Sequence, residues 1–288
     1  MMRDDGVPRS THVARKRFGQ HFLHDQGILR RIVESVAPQL DDRLIEIGPG
    51  EGALTLPLLR AAGKLTAIEL DRDLIEPLRA KAQAIGDLSV ISADVLSVDF
   101  SGLSRPSMAS EALGLLPGAL GILSGDTRLR IVGNLPYNIS TPILFHCLDH
   151  AAAIRDMHFM LQKEVVERMG APPGSKVYGR LSVMLQLRCT VQPLFGVPPN
   201  AFRPPPKVHS AVVRLTPLPV HLLPQVDFAL IERVVRAAFG QRRKTLSNAL
   251  SGVLSAAQID AAGIDPRARA EQLAPSAFVA LAEQLANV

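Results

Sequence analysis

The four residues Asn134–Tyr137, with the sequence NLPY, combine groups suited to methyl transfer onto an aromatic amine. The N6 lone pair of adenine is delocalised into the ring, so this nitrogen is a poor nucleophile. The amide oxygen of Asn134 and the carbonyl of Leu135 or Pro136 could accept both N6 hydrogens and aim the nitrogen at a sulfonium methyl group. Pro136 stiffens the turn, and Tyr137 offers a flat face to an extruded base. A proline turn that merely closes a strand is the alternative.

A glycine-rich turn earlier in the chain is typical of a site for a phosphate or nucleoside ligand. In EIGPGEG, Gly48, Gly50 and Gly52 follow an apolar run, and we expect them to let backbone N–H groups approach a ligand closely. The spacing is GxGxG, and Ala53 stands where the dinucleotide-binding fingerprint would have its third glycine. An ordinary tight turn between a strand and a helix is the alternative.

Two acidic residues end the next two predicted strands. Glu69 closes AIEL, where a carboxylate can accept hydrogen bonds from both hydroxyls of a ribose. Asp94 follows the third strand, where it could accept a hydrogen bond from the amine of a cofactor adenine. Either acid alone could be a solvated surface residue. Their ordered placement after successive strands predicts an adenosine site.

The elements that would position these residues alternate between short apolar runs and longer amphipathic ones. This alternation predicts βαβ units, a parallel sheet and a Rossmann-like α/β fold. After a first helix over 26–37, the predicted strands are 43–48, 64–70, 88–96 and 129–134, and the predicted helices are 53–62, 73–85 and 141–150. Ligands of such sheets bind at the carboxyl ends of the strands, where NLPY and both acids fall.

The remainder of the chain predicts an antiparallel addition to the sheet and a second, helical domain. Strand candidates are 155–162, 181–191 and 208–215, of which the second could equally be helical. The predicted domains are a basic lead (1–25), a Rossmann-like methyltransferase domain (26–217) and an all-helical domain (218–288). The unusually long connection 101–128 is interpreted either as a crossover helix with mobile flanks or as a loop that contacts substrate.

Composition indicates a globular chain, and its charge is compatible with a polyanionic partner but also occurs in proteins that bind no nucleic acid. The 288 residues are 47% hydrophobic and 20% charged, with a net charge of +5 and a pI near 9.5. The chain begins without the apolar segment of a signal peptide and contains no run long enough to span a bilayer, so we expect a cytoplasmic location. Cys147 and Cys189 are expected to be buried free thiols.

Basic residues predict where RNA phosphates would bind. Arg236, Arg242, Arg243 and Lys244 cluster in RAAFGQRRK, where they could bind phosphates or simply solvate the end of a helix. Arg15–Arg17 are a second, weaker cluster. His146 and His150 have a zinc-like spacing, but without a convincing third ligand we expect no metal site.

Taken together, these motifs resemble the ribosomal RNA adenine dimethyltransferase family, and its bacterial small-subunit members in particular. The resemblance runs from Arg15 to about Leu250. It is carried by RKRFGQHFLHD, EIGPGEGALT, IELD, ADVL, NLPYNISTPIL, QKEVVERM, YGRLSV, FRPPPKVHSAVVRL and RAAFGQRRKTLSNAL.

The resemblance implies S-adenosylmethionine as cofactor and dimethylation of N6 on two adjacent adenosines, in a hairpin loop near the 3′ end of 16S rRNA. The implied substrate is an immature 30S particle, and no oligomer is implied. Gln20, His21 and Leu23 would close over the cofactor, Gly48, Gly50, Glu69, Asp94 and Asn134 would contact it or its reacting end, and Phe202 would sandwich the target base against Tyr137.

Two departures from the family pattern bear on the site. His21 stands where the family usually has asparagine, and the connection between Asp94 and Asn134 is longer than usual. Two other functions remain open from sequence: a ribosome-assembly factor with secondary catalysis, and a large-subunit adenine methylase of the antibiotic-resistance type.

Overall fold

The computed structural model of the chain describes residues 21–104, 126–241 and 243–286. Gln20, Arg15–Arg17 and Arg242 lie outside the described residues, as does most of the connection 101–128.

A seven-stranded, mostly parallel sheet forms the centre of the first part of the chain. The strands of the described residues are β1 (Phe22–Leu23), β2 (Arg43–Ile47), β3 (Lys64–Glu69), β4 (Asp87–Ser92), β5 (Leu129–Asn134), β6 (Ile154–Gln162), β7 (Cys189–Val197), β8 (Phe202–Arg203) and β9 (Ser210–Pro217). The order in the sheet is β4-β3-β2-β5-β6-β9-β7, and β9 runs antiparallel to both of its neighbours. The two short strands β1 and β8 lie outside this sheet and pair antiparallel with each other.

Helices cover both faces of the sheet and form the end of the chain. Those before residue 218 are α1 (Gln26–Val36), α2 (Thr55–Ala62), α3 (Arg72–Ala82), α4 (Phe100–Ser104), α5 (Ser140–Asp149), α6 (Lys163–Met169) and α7 (Arg180–Gln186). Those after it are α8 (Phe228–Gly240), α9 (Leu246–Ala249), α10 (Ala256–Ala261) and α11 (Pro275–Ala286). The predicted Rossmann-like sheet with a helical C-terminal part is confirmed, as is the antiparallel addition.

The apolar core follows the alternation of side chains along the strands. Ile45 and Ile131 pack on one face of the sheet, and Leu44 and Val132 pack on the other. The helical part has a third cluster, to which Tyr178, Val183 and Met184 contribute from before residue 218.

The segment 181–191, for which the sequence left strand and helix open, contains both. Residues 181–186 belong to the helix α7, and the strand β7 begins only at Cys189. The physical reason is that α7 packs against two cores: Leu181 and Leu185 join the sheet core, whereas Val183 and Met184 join the helical core. A short segment buried on two sides has no single apolar stripe, so periodicity alone does not distinguish it from a buried strand.

Both described ends of the connection 101–128 lie at the amino ends of the strands. The guanidinium of Arg43, the first residue of β2, donates to the carbonyls of Leu103 and Ser104, each at 2.6 Å. On the returning side, Asp126 pairs with Arg128, immediately before β5 begins. The connection therefore starts and finishes at the edge of the sheet opposite to the carboxyl ends.

A buried ionic cluster joins the strands at this same edge. The side chain of Arg130 is 6% exposed and donates to Asp156 at 3.0 Å, to Asp42 at 2.7 Å and to the carbonyl of Val36 at 2.7 Å. Asp156 is fully buried. Charges removed from water are tolerated when each is paired and hydrogen-bonded, as Arg130 is here.

We predict that Arg130→Met destabilises the fold by about 3–5 kcal/mol, because two buried carboxylates would lose their shared partner. Urea unfolding followed by circular dichroism measures this free energy. The matched control is Arg128→Met, which removes an exposed pair worth about 0–1 kcal/mol. Equal stability of the two variants would contradict a structural role for the buried cluster.

Candidate active site

A cavity of about 370 Å³ opens at the carboxyl ends of β2, β3 and β5. Its volume is within the range typical of small-molecule sites. Most of the residues predicted from sequence line it: His21, Leu23, Gly48, Gly50, Glu69, Asp94, Asn134, Leu135, Pro136 and Tyr137. The structure thus brings the two predicted sets, for the cofactor and for the reacting base, into one space.

The glycine turn makes room at the cavity wall. Gly48 donates to the carbonyl of Ile68, Gly50 to the carboxylate of Glu69, and Gly52 to the carbonyl of Pro49. The N–H groups of the three glycines themselves therefore have partners within the protein. Gly50 has φ 56°, and a Cβ there would lie 3.2 Å from the Phe22 ring, so glycine is needed for conformation and space.

Glu69 is held rigidly at the end of β3. One carboxylate oxygen accepts from the N–H of Asp71 at 2.8 Å and the other from the N–H of Gly50 at 3.2 Å. Burial raises the pKa of Glu69, and these two backbone hydrogen bonds oppose the rise. Each carboxylate oxygen has a second lone pair, so the group can still accept hydrogen bonds from two ligand hydroxyls.

Asp94 lies further out, beyond β4. Its side chain is exposed, and one oxygen accepts from the N–H of Leu96 at 3.0 Å. This bond begins a short 3-10 turn, Val95–Ser97, and fixes the carboxylate at the wall of the cavity. Glu69 and Asp94 therefore occupy successive positions along the same wall, as a nucleoside requires.

The amide of Asn134 has a defined orientation. Its Nδ2 donates to the backbone carbonyl of His21 at 3.1 Å. Because a carbonyl only accepts hydrogen bonds, the nitrogen of the amide faces His21 and the oxygen remains an acceptor. The next residue is fixed as well, since the N–H of Leu135 donates to the carbonyl of Met160. The site thus holds a hydrogen-bond acceptor at the end of β5.

Tyr137 is half-buried and fixed at both its hydroxyl and its ring. The hydroxyl hydrogen-bonds to Ser210 at 2.6 Å. Burial raises the pKa of Tyr137, and the bond to Ser210 opposes the rise. The ring stacks against the imidazole of His21, with centroids 5.8 Å apart and an angle of 28° between planes. Tyr137 is therefore a preorganised aromatic surface.

His21 is fixed by the strand pair β1–β8. Its Nδ1 donates to the carbonyl of Pro204 at 2.8 Å, because the carbonyl can only accept. Phe22 pairs with Arg203 in the same short ladder. His21 thus contacts both Asn134, through its carbonyl, and Tyr137, through its ring.

Phe202 differs from its predicted position. The side chain is 1% exposed and packs in the core with Leu23 and Val212, and Phe202 does not line the cavity. In this conformation its ring has no face available to a base, so the predicted sandwich with Tyr137 is not formed. A contact between Phe202 and the base would require the β1–β8 pair to rearrange.

Glu46 was not predicted from the sequence. It lines the cavity from β2, and it is only 2% exposed. Its signal in the sequence is a carboxylate in the middle of the apolar run LIEIG, where a strand buried on both faces would have only apolar residues. The cavity lining therefore includes a buried acid on β2, in addition to Glu69 of β3 and Asp94 beyond β4.

The predicted RNA-binding residues lie in the helical part, away from the cavity lining. Arg236 is on α8, and Arg243 and Lys244 follow that helix; all three side chains are exposed. Among the ion pairs of the described residues, none involves these three.

The two histidines with zinc-like spacing have other partners. His146 hydrogen-bonds to the carbonyl of Val98, just before α4, and His150 to the hydroxyl of Ser101, within α4, so they attach the end of α5 to this region. The described residues contain no group of three side chains suited to a metal ion.

Cys147 and Cys189 are buried free thiols, as expected, and burial raises the pKa of each to about 12.

Within the described part of the chain, no helix is both long and apolar enough to cross a bilayer.

Comparisons with known proteins find similar sequences and structures. Ribosomal RNA small subunit methyltransferase A of Xylella fastidiosa strain 9a5c is 56% identical over 269 residues, which are 93% of this chain and 95% of that protein. A dimethyladenosine transferase from Plasmodium falciparum has a similar structure, with a TM-score of 0.69 and 25% identity over 91% of this chain and 96% of that one. The 23S rRNA methyltransferase ErmE has a TM-score of 0.66 and 26% identity, over 92% and 99% of the two chains.

The family comparison covers nearly the whole sequence. Residues 11–287 match the family described as ribosomal RNA adenine dimethylase. The resemblance found in the sequence motifs and the expected enzyme class are thereby confirmed. This chain belongs to the ribosomal RNA adenine dimethylase family.

Proposed function

We propose that the cavity binds S-adenosylmethionine and that the enzyme dimethylates N6 of two adjacent adenosines in small-subunit rRNA. The observation that carries the proposal is the oriented amide of Asn134, an acceptor at the end of β5 in the same cavity as two nucleoside-binding acids. The 16S target near the 3′ end and an immature 30S particle in the cytoplasm as its setting follow from the family resemblance.

The described residues fit this cofactor. The carboxylate of Glu69 binds the ribose hydroxyls, and that of Asp94 binds the adenine amine. The lining contains five acids and, among the described residues, no lysine or arginine, which suits a ligand with a net positive charge. When bound, S-adenosylmethionine supplies an electrophilic methyl group on a sulfonium.

The protein's part in the reaction is to hold the adenine amine. The amide oxygen of Asn134 and the carbonyl of Leu135 or Pro136 accept the two N6 hydrogens, so the nitrogen lone pair is directed at the methyl group. As the nitrogen attacks, positive charge develops on it and both acceptors bind it more strongly. For each methyl group gained, the amine releases one proton to solvent.

The target base must leave its stack to reach this point. The ring of Tyr137 offers a stacking surface worth about 1–3 kcal/mol. Ser210 and His21 hold this ring in place before the base arrives. The ring of Tyr137 therefore needs little further ordering when the substrate binds.

The exposed basic residues Arg236, Arg243 and Lys244 bind rRNA phosphates in this proposal. Arginine can pair with a phosphate through two parallel hydrogen bonds, whereas lysine acts as a point charge.

The large-subunit alternative is less favoured, because identity to the small-subunit enzyme is 56% and to ErmE only 26%. A pure assembly factor would have no physical need for an oriented N6 acceptor beside an adenosine site.

We predict that Asp94→Ala weakens binding of S-adenosylmethionine by about 1–3 kcal/mol, because a polar group of the ligand would lose its partner. Isothermal titration calorimetry measures the affinity. The control is Asp87→Ala, an exposed acid at the amino end of the same strand β4, which should leave affinity unchanged. Unchanged affinity in Asp94→Ala would mean that this cavity is not the cofactor site.

We predict that Asn134→Ala folds and binds RNA but slows methyl transfer by about two to three orders of magnitude, as expected when one preorganised polar contact at a reacting centre is removed. The loss should be in the chemical step, since the contact strengthens in the transition state. Single-turnover transfer to immature small subunits measures it, with the distant Asn248→Ala as control. Near-normal transfer by Asn134→Ala would refute its role.

We predict that replacing Arg236, Arg243 and Lys244 together by alanine weakens RNA binding and leaves cofactor affinity intact. Each lost phosphate contact should flatten the slope of log affinity against log salt by roughly 0.7–0.9. The control replaces three basic residues elsewhere, Arg60, Lys64 and Arg79, and so removes the same total charge. If both triple variants show the same slope, only net charge matters and this surface is not the RNA site.

A further inference from the structure

We propose that Glu46 releases a proton when the cofactor binds, because the buried carboxyl group is neutral without ligand and ionises against the α-ammonium of the bound ligand. This inference rests on the proposed S-adenosylmethionine site. It adds a residue to that site and predicts that cofactor binding is coupled to proton release.

Glu46 is buried at the cavity wall, and no lysine or arginine lies beside it among the described lining residues. The side chain is 2% exposed, and its Oε2 has no hydrogen-bond partner among the described residues. A buried, unpaired carboxylate is costly, so such a group stays neutral or binds a cation. The titratable groups that line the same cavity are His21, Glu51, Glu69, Asp71, Asp94 and Tyr137, with no lysine or arginine among the described lining residues.

The electrostatics of this site agree with the geometry. Burial raises the pKa of Glu46 to about 8, and the negative charge of Glu69 adds to this effect, while the hydroxyl of Thr55 opposes it. The unliganded carboxyl group therefore favours its protonated form at pH 6.5. A cation placed beside it favours the ionised form and lowers its pKa.

The order of the strands indicates which part of the ligand reaches Glu46. The adenosine lies against Glu69 of β3 and Asp94 beyond β4, and the methyl group faces Asn134 of β5. Since β2 lies between β3 and β5, the amino-acid part of the ligand passes over the end of β2, where Glu46 is located. The α-ammonium has three N–H donors for a carboxylate oxygen, whereas the sulfonium has none.

The sign of the pH effect follows. Below about pH 8 the group must lose its proton as the ligand binds, so affinity should rise with pH up to that value. Because the ammonium group of the ligand titrates in a nearby range, the number of protons released is a cleaner measure than affinity. A comparison between wild type and Glu46→Gln cancels the contribution of the ligand.

The experiment is calorimetry at pH 6.5, repeated in buffers of different ionisation enthalpy, which gives the number of protons released on binding. S-adenosylhomocysteine is the first probe, because it keeps the ammonium and lacks the sulfonium charge. Methylthioadenosine is the second, because it keeps the adenosine and lacks the amino-acid part. Glu51→Gln serves as a matched cavity acid.

We expect wild type and Glu51→Gln to release about one proton more than Glu46→Gln when S-adenosylhomocysteine binds, and no such excess with methylthioadenosine. Equal proton counts in wild type and Glu46→Gln would overturn the inference and leave the cofactor site standing. Release by wild type with both probes would overturn the assignment to the ammonium. Failure of wild type to bind either probe would refute the cofactor site itself.

If Glu46→Gln does not fold, proton release measured on the wild type alone still tests the inference. Its proton release with S-adenosylhomocysteine, after subtraction of the value for methylthioadenosine, should approach one at pH 6.5 and fall progressively above pH 8, where Glu46 is already ionised. A difference that stays near zero across this range would overturn the inference.

Discussion

Parallel pairing of β3, β2 and β5 in a fixed register is the constraint on which the site depends. Ile47 lies opposite both Ile68 and Gly133, so the three chains leave the sheet at one level. The residues that follow are Gly48, Glu69 and Asn134. A slip of one residue in any of these strands would turn its functional residue to the other face of the sheet. The chemistry is therefore positioned by backbone hydrogen bonds rather than by the side chains of the site.

A second, much smaller ladder completes the site from a distance in sequence. The pair β1–β8 holds residue 21 beside residue 204, and from there His21 contacts Asn134 through its carbonyl and Tyr137 through its ring. A two-stranded pair of this length has little stability of its own. Its stability comes from Leu23 and Phe202, which are buried in the core beneath it. The burial of Phe202 thus helps to orient the side-chain amide of Asn134.

Much of the fold and the site could be predicted from sequence because the signals were local. The strands β3 and β5 end in Glu69 and Asn134, and Asp94 follows β4 by two residues, so each position could be read without knowledge of distant contacts. What could not be predicted depends on the tertiary structure. The N–H of Gly50 has a partner in Glu69, 19 residues away, and α7 packs against two cores that meet there. Glu46 interrupts the apolar run LIEIG, but only the tertiary structure shows that its Oε2 is buried without a hydrogen-bond partner among the described residues.

Both described ends of the connection 101–128 are anchored away from the reacting groups. Arg43 fixes one end, and β5 begins just after the other, both at the edge opposite to the cavity. A reporter domain inserted genetically between these two ends would therefore leave and re-enter the fold at that opposite edge, and the enzyme could be followed by its reporter while it works.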